Sequence, residues 1–157
     1  MSKEHNYTST ITWTGNKGEG TKDYKAYDRN FEIEIEQKPL LKGSADAPFR
    51  GDITRHNPED LFLAALSSCH MLWFLHLCAD NKIIVVNYID NAYAKMIENE
   101  GGGGKFTEVI LNPTVEILDE SQIELANSLH ELANKKCFIA NSCNFPVLHQ
   151  PICTISK

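Results

Sequence analysis

One long apolar segment, between residues 57 and 79, most constrains what this chain can fold into. Asn57 is a good helix N-cap, and Pro58 suits the first helical position. Glu59 and Asp60 then place negative charge in the first turn, where the helix dipole favours it. Apolar residues follow on nearly every side of the segment. We therefore predict a long central helix that the other elements enclose.

Strand patterns precede this helix. Residues Tyr7 to Trp13 and Phe31 to Glu36 alternate between apolar and polar side chains, which is typical of half-buried strands. A connector from Pro39 to His56, rich in Gly, Ser, Asp and Pro, then leads into the helix. At this length the connector is long for a passive loop.

Further strands and a second helix follow. Residues 82–98 and 106–118 each have the pattern of one long strand, and a glycine-rich tip joins them. A capping box that begins at Ser121 opens a second helix, and residues 147–156 form a last strand. This order of elements predicts an α+β fold in a single domain over residues 1–157.

Composition argues against several classes of function. The net charge of −6, with scattered Lys and Arg, disfavours a nucleic-acid partner. The N-terminus lacks a secretory apolar region, and polar residues interrupt the central apolar segment, so we expect neither export nor a membrane span. Five cysteines without a signal sequence then predict reduced thiols in a cytoplasmic protein rather than a disulfide scaffold.

We also predict no metal and no bound cofactor. The spacing of Cys and His fits no closed zinc pattern. Two histidines of the second half, His130 and His149, are expected on the surface.

Two of the cysteines have distinctive surroundings. Cys69 falls within the apolar helix, and Cys137 directly follows the second helix. A reactive cysteine must be partly thiolate, and apolar burial alone disfavours that charged form. We therefore expect an arginine to activate Cys69, with Arg50 and Arg55 as the first candidates and Arg29 next.

A carboxylate at the helix start can hold such an arginine in a bidentate fork. Glu59 is the candidate, yet it lies about 15 Å from Cys69 along a continuous helix, so it cannot touch the thiol directly. Three arrangements resolve this: a later helix start, an arginine that bridges the gap, or a contribution from a second subunit.

The run from Asn57 to Cys69 resembles the first cysteine motif of the OsmC/Ohr family, the osmotically inducible protein C and organic hydroperoxide resistance proteins. Cys137 is similar to the second cysteine of that family, and Trp13-Thr14-Gly15 lies at a matching place in the β-rich start. The resemblance implies an OsmC-like fold of antiparallel sheets around a long central helix, in an intertwined homodimer. It also implies a peroxiredoxin-like thiol peroxidase that reduces organic hydroperoxides with an external dithiol reductant.

Residue roles follow from the same resemblance. Cys69 would attack the peroxide O–O bond and become a sulfenic acid, which Cys137 would resolve as a disulfide. Glu59 matches the acidic residue of the family motif, and the arginine of the family best matches Arg50. Cys143 is an alternative resolving thiol.

A second function stays open because the chain departs from the family pattern. Phe138 stands where proline usually follows the second cysteine, and the residues after Cys69 are bulkier than usual. The alternative is a non-enzymatic protein of the same fold that binds an apolar small ligand in its cleft. In the peroxidase reading, apolar neighbours such as Phe62, Leu66 and Trp73 favour organic hydroperoxides over hydrogen peroxide.

Overall fold

The computed structural model describes residues 3–156, which fall into two compact units divided between Leu61 and Phe62. The helices of the described chain are α1 (Pro58–Asp80) and α2 (Ile123–Lys136). Its strands are β1 (Thr10–Trp13), β2 (Phe31–Glu34), β3 (Leu41–Gly43), β4 (Val85–Asp90), β5 (Tyr93–Glu98), β6 (Gly104–Leu111), β7 (Pro113–Ile117), β8 (Val147–His149) and β9 (Ile152–Ile155).

The first unit contains a small antiparallel sheet with the strand order β1-β2-β3. Phe31 on the central strand pairs with Trp13 on one side and with Gly43 on the other. A Cβ at Gly43 would collide with the Phe31 ring, so this register needs glycine there. Both predicted strands of this region are confirmed, with shorter bounds, and the predicted connector contains β3.

Helix α1 begins where the sequence predicts. The Asn57 side chain accepts a hydrogen bond from the backbone N–H of Asp60 at 2.7 Å, which is N-cap geometry. Its buried residues share one side of the helix, whereas Leu72 on another side is 62% exposed. The predicted enclosure is therefore wrong for one face of α1.

By length and apolarity α1 would suffice to cross a membrane. Its buried residues within the second unit instead belong to two apolar clusters, which is the behaviour of a core helix. The first cluster joins α1 and α2 to the sheet that contains β7, through Phe74, Val115 and Ala126. The second is smaller and centres on Leu66 and Val109.

Each long strand predicted for the second unit is bent into two. The break between β4 and β5 falls at Asn91, the break between β6 and β7 at Asn112, and the break between β8 and β9 at Gln150-Pro151. One half of each strand joins the sheet β4-β7-β9, and the other half joins β5-β6-β8. The prediction of uninterrupted strands is therefore wrong, because strand direction changes at a corner shared by both sheets.

Polar side chains satisfy the backbone at this corner. The Asp90 carboxylate accepts from the backbone N–H of Asn112 at 2.7 Å and from the Ser67 hydroxyl at 2.5 Å. The Asn112 amide in turn donates to the carbonyl of Asn91 at 2.9 Å. The corner is therefore a built feature that also ties α1 to the sheets.

The predicted α+β class is confirmed. In the second unit, β4 pairs antiparallel with β7 and β5 with β6, whereas β7–β9 and β6–β8 are parallel. These two sheets are consequently mixed rather than purely antiparallel.

The predicted capping box is wrong. A short 3₁₀ turn precedes α2, and the Asp119 carboxylate accepts from the backbone N–H and the hydroxyl of Ser121. Ser121 therefore belongs to the turn, and Gln122, the N-cap of α2, makes no side-chain cap hydrogen bond.

Candidate active site

Cys69 lies in the middle of α1, in the second unit, and is partly exposed. His70, its neighbour in sequence, is fully buried. Successive residues of a helix point about 100° apart, which explains how one side chain reaches solvent while the next enters the core. Cys69 therefore offers an accessible sulfur on a rigid element.

Cys137 occupies the C-cap of α2, where the backbone leaves the helix for an extended conformation. Its N–H donates to the carbonyl of Asn134 at 3.2 Å, and its sulfur lies 3.4 Å from the backbone nitrogen of Ala140. The side chain is only 1% exposed. Two backbone contacts and full burial thus fix the position of this thiol.

The structure brings Cys69 and Cys137 together, although they are far apart in sequence. Burial, and next a hydrogen bond to the Cys69 thiol, raise the pKa of Cys137 to about 11. Cys137 is therefore protonated at neutral pH. The arrangement pairs one accessible thiol with one sheltered thiol, and both remain free.

Cys143 has different contacts. Its sulfur donates to the carbonyl of Ile139 at 3.3 Å, and its side chain packs against the cluster that contains Leu66 and Val109. Burial raises the pKa of this thiol. Among the described residues, Cys143 makes no hydrogen bond to Cys69.

The other two cysteines belong to the larger apolar cluster. Cys78 on α1 is 1% exposed, and Cys153 on β9 packs against the same cluster. Burial and the neighbouring Cys153 thiol raise the pKa of Cys78 to about 12. These two cysteines have the character of core residues, as the habit of free cysteine predicts.

Glu59 lines a pocket of about 330 Å³ in the first unit. Its Oε2 atom is buried and has no hydrogen-bond partner within residues 3–156. The pocket combines aromatic rings with one guanidinium and two carboxylates, from Trp13, Tyr27, Arg29, Phe31, Ser44, Ala45, Asp46, Phe49, Pro58 and Glu59.

The three candidate arginines differ in their surroundings. Arg29 lines the same pocket as Glu59, donates to the carbonyls of Tyr27 and Tyr24 at 2.6 Å each, and stacks on both rings. Arg50 is exposed, with a left-handed φ of 62° at the end of a short 3₁₀ helix, and it does not line this pocket. Arg55 lies 3.4 Å from Asp52. The pocket thus brings Glu59 together with Arg29.

Three histidines of the second unit form a cluster. His70 and His130 are 0% exposed and share a hydrogen bond of 3.0 Å, and the His149 ring centroid lies 5.6 Å from that of His70. The predicted surface position is wrong for His130, and His149 is partly buried. The sequence signal that locates His130 is its place beside Ala126 and Ala133 on the apolar stripe of α2.

The cluster does not form a metal centre. The two rings lie within 12° of parallel and their nitrogens face each other across a hydrogen bond, so both lone pairs cannot converge on one ion. Within residues 3–156, no group of three His, Cys, Asp or Glu side chains is arranged to hold a metal.

Solved structures resemble the chain along nearly its whole length. An OsmC-like protein of unknown function from Vibrio cholerae is 31% identical, with a TM-score of 0.84 over 95% of this chain and 100% of that one. An organic hydroperoxide resistance protein from Elizabethkingia anophelis, crystallised with thiocyanate, is 19% identical, with a TM-score of 0.69 over 99% and 100%. Another, from Legionella pneumophila, is 19% identical, with a TM-score of 0.62 over 96% and 99%.

At 19% identity, the similarities to the proteins from Elizabethkingia anophelis and Legionella pneumophila concern the fold alone. No curated protein matches the chain in sequence. The profile of a family described as OsmC-like protein matches residues 51–149, which include both Cys69 and Cys137. With more than half of the chain matched, and with the predicted resemblance confirmed by fold and profile alike, the chain belongs to the OsmC-like protein family.

Proposed function

We propose that this protein is a thiol-dependent peroxidase that reduces organic hydroperoxides. The observation that carries the proposal is the contact between an accessible thiol, Cys69, and a buried thiol, Cys137, in one rigid unit. Membership of a family whose structural relatives include organic hydroperoxide resistance proteins supports it.

The chemistry proceeds in three balanced steps. The Cys69 thiolate attacks one peroxide oxygen, the O–O bond breaks, and the alcohol leaves with a proton while Cys69 becomes a sulfenic acid. Cys137 then displaces the hydroxyl, which forms a disulfide and releases water. An external dithiol reduces this disulfide and returns both cysteines to thiols. The assignment of roles follows exposure, since the oxidant must reach the first sulfur and only the second can remain sheltered.

A reactive thiol must be partly thiolate, and a nearby arginine favours that form because it stays charged. We propose Arg50, the residue best matched to the family motif, for this role together with Glu59. Arg55 and Arg29, which lines the same pocket as Glu59, are the next candidates. Replacement of each by Lys, followed by the rate of peroxide attack, ranks them, because Lys keeps the charge and loses the fork.

A homodimer in the cytoplasm is part of the proposal. Exposed apolar side chains in the second unit support a second copy: Leu72 is 62% and Phe138 is 70% exposed, and Trp73 contacts Phe138 at a ring distance of 5.7 Å. A reducing compartment also supplies the dithiol. Light scattering on the purified protein measures its mass in solution. The mass of a single chain, 17.7 kDa, at micromolar protein concentration would exclude the homodimer.

One observation favours the second candidate, a binding protein for an apolar ligand. Four of the ten residues that line the pocket of the first unit are aromatic, and aromatic side chains of this kind retain small apolar molecules. In that reading, the two thiols resist peroxide at neutral pH.

The deciding experiment adds one equivalent of cumene hydroperoxide to the reduced protein, followed by intact-mass measurement and peptide mapping. A loss of two hydrogens mapped to Cys69 and Cys137 supports the peroxidase. A bridge between Cys69 and Cys143 keeps the chemistry and reassigns the resolving thiol. An unchanged mass leaves the binding protein as the better candidate.

A further inference from the structure

A buried imidazole pair joins the two helices that hold the thiols. His70 Nε2 and His130 Nδ1 are 3.0 Å apart, and neither residue is exposed. When the two neutral rings have complementary tautomers, one of the facing nitrogens donates and the other accepts. The pair is therefore a specific polar contact between α1 and α2 within an apolar core.

The two histidines sit close to the thiols along their own helices. His70 directly follows Cys69 in α1, and His130 precedes Cys137 in α2 by about two turns. Because each helix is rigid over this length, the distance between the two rings constrains the distance between the two sulfurs.

The buried His70–His130 pair lowers the stability of the fold, because two of its ring nitrogens have no hydrogen-bond partner. His70 Nδ1 and His130 Nε2 are buried, and neither has a hydrogen-bond partner within residues 3–156. Each such atom gives up its hydrogen bond to water on burial, whereas two apolar side chains of the same shape would avoid this loss. Phe74 stacks on His130 with ring centroids 3.9 Å apart, so the ring is held firmly in place. A polar contact of this kind fixes how two elements align better than apolar packing does.

We propose that the hydrogen bond between His70 and His130 is a positioning contact that sets the approach of Cys69 to Cys137, and therefore how readily they close to a disulfide. Disulfide geometry is narrow, since the Cα atoms must lie about 4.4–6.8 Å apart. A slip of α2 along α1 would change the distance between these two Cα atoms. The inference rests on the proposed function only in taking Cys69 and Cys137 as a redox pair, and not on peroxide as the oxidant.

The test measures disulfide closure without peroxide. Wild type and variants are equilibrated with mixtures of reduced and oxidised dithiothreitol, quenched with acid, and mapped for the Cys69–Cys137 bridge. Two protein thiols then pass two electrons and two protons to oxidised dithiothreitol, which becomes the dithiol. The equilibrium constant reports how well the two sulfurs are placed.

Two variants of nearly equal size provide the matched comparison. His130→Leu removes the hydrogen bond, whereas His130→Asn keeps a polar atom near the Nδ1 position. We expect His130→Leu to lower the equilibrium constant roughly five- to tenfold, the worth of one net hydrogen bond, and His130→Asn to restore most of it. A purely structural role would lower the melting temperature of both variants and leave the two equilibrium constants alike, which overturns the proposal.

A double variant guards against failure to fold. Replacing both His70 and His130 by Leu leaves neither imidazole unpaired, so this protein is expected to fold. A wild-type equilibrium constant in the double variant overturns the positioning role, and a reduced constant supports it. If the wild type closes the bridge with dithiothreitol and yet consumes no peroxide, the proposed function fails while the positioning role stands. If it closes no such bridge, the positioning role fails.

Discussion

The second unit contains two pairs of neighbouring cysteines, and the two pairs differ in the residues that surround them. Cys69 and Cys137 combine a partly exposed sulfur with a buried one at a helix exit. Cys78 and Cys153 both belong to the main apolar cluster, where burial raises the pKa of Cys78 to about 12. Two nearby thiols therefore do not by themselves make a redox pair. Each pair has one buried and one partly exposed member, and what distinguishes the first pair is that it lies outside both apolar clusters, with its buried member at a helix exit.

Alkylation should separate the two pairs by the largest factor. A thiol whose pKa rises from 9.0 to about 12 has roughly a thousandfold less thiolate at neutral pH, so Cys78 should react with iodoacetamide about a thousandfold more slowly than a free thiol. Timed labelling followed by peptide mapping measures both sites in one sample. Equal labelling of Cys69 and Cys78 in the folded protein would erase the distinction.

Mutagenesis should give the next largest difference. Cys69→Ser should reduce the consumption of cumene hydroperoxide on the order of a hundredfold or more, because it removes the nucleophile. The matched change in the other pair, Cys78→Ala, should leave the rate near that of the wild type. Peroxide loss in the presence of dithiothreitol is the measurement. Full activity in Cys69→Ser would end the peroxidase proposal.

Acidification should lower the stability of the folded protein through His70 and His130, the buried histidines on the helices of Cys69 and Cys137. Burial lowers the pKa of His70 to about 4 and that of His130 to about 3, with His149 adding to both effects and Glu131 opposing the shift at His149. The unfolded chain binds protons below pH 6.5, and the folded pair does not until about pH 4, so stability is full above pH 6.5 and falls as the pH drops between these values. A single shift of this size is worth about 3 kcal/mol.

Urea unfolding between pH 7 and pH 4.5 measures this loss. The variant with leucine at both 70 and 130 is the control, because it lacks both groups and should show a flatter dependence. Equal slopes in the two proteins would assign acid sensitivity to other residues.

The smallest effect is expected at Phe138. Cys137 has a φ of −65° and a ψ of 113°, a conformation that tolerates a following proline, and the Phe138 N–H makes no backbone hydrogen bond within residues 3–156. Phe138→Pro should therefore change the free energy of unfolding by no more than about 1 kcal/mol. Thermal or urea unfolding checks it. A larger loss would show that the exposed ring contributes to stability through Trp73 or a second copy.

Much of the fold was predictable from local pattern. Asn57, Pro58 and the apolar run fixed the start and length of α1, since capping and periodicity are local properties. The strand corners were not predictable in this way, because they depend on contacts between residues distant in sequence: the Asp90 carboxylate accepts from the Asn112 N–H, and the Asn112 side chain donates to the Asn91 carbonyl. The capping box predicted at Ser121 was wrong for a similar reason, because the Asp119 carboxylate accepts the hydrogen bonds of Ser121.

The candidate site was also predictable only where a local sequence motif marks the residue. Cys69 and Cys137 stand in recognisable motifs, and the structure brings them into contact. Arg50 was chosen by its place in the sequence, whereas the pocket that contains Glu59 holds Arg29, a residue from a distant turn. No sequence motif marks His130, because its hydrogen-bond partner, His70, lies sixty positions away in the chain.

The bent strands have a consequence for how the second unit opens. Every strand that contributes to the sheet β4-β7-β9 continues, after its corner, into the sheet β5-β6-β8, or the reverse. Neither sheet can therefore detach from the chain while the other stays intact, and the two should unfold as one cooperative block. Amide hydrogens on both sides of the corner should then exchange with deuterium at closely similar rates, even though two separate apolar clusters lie beneath them.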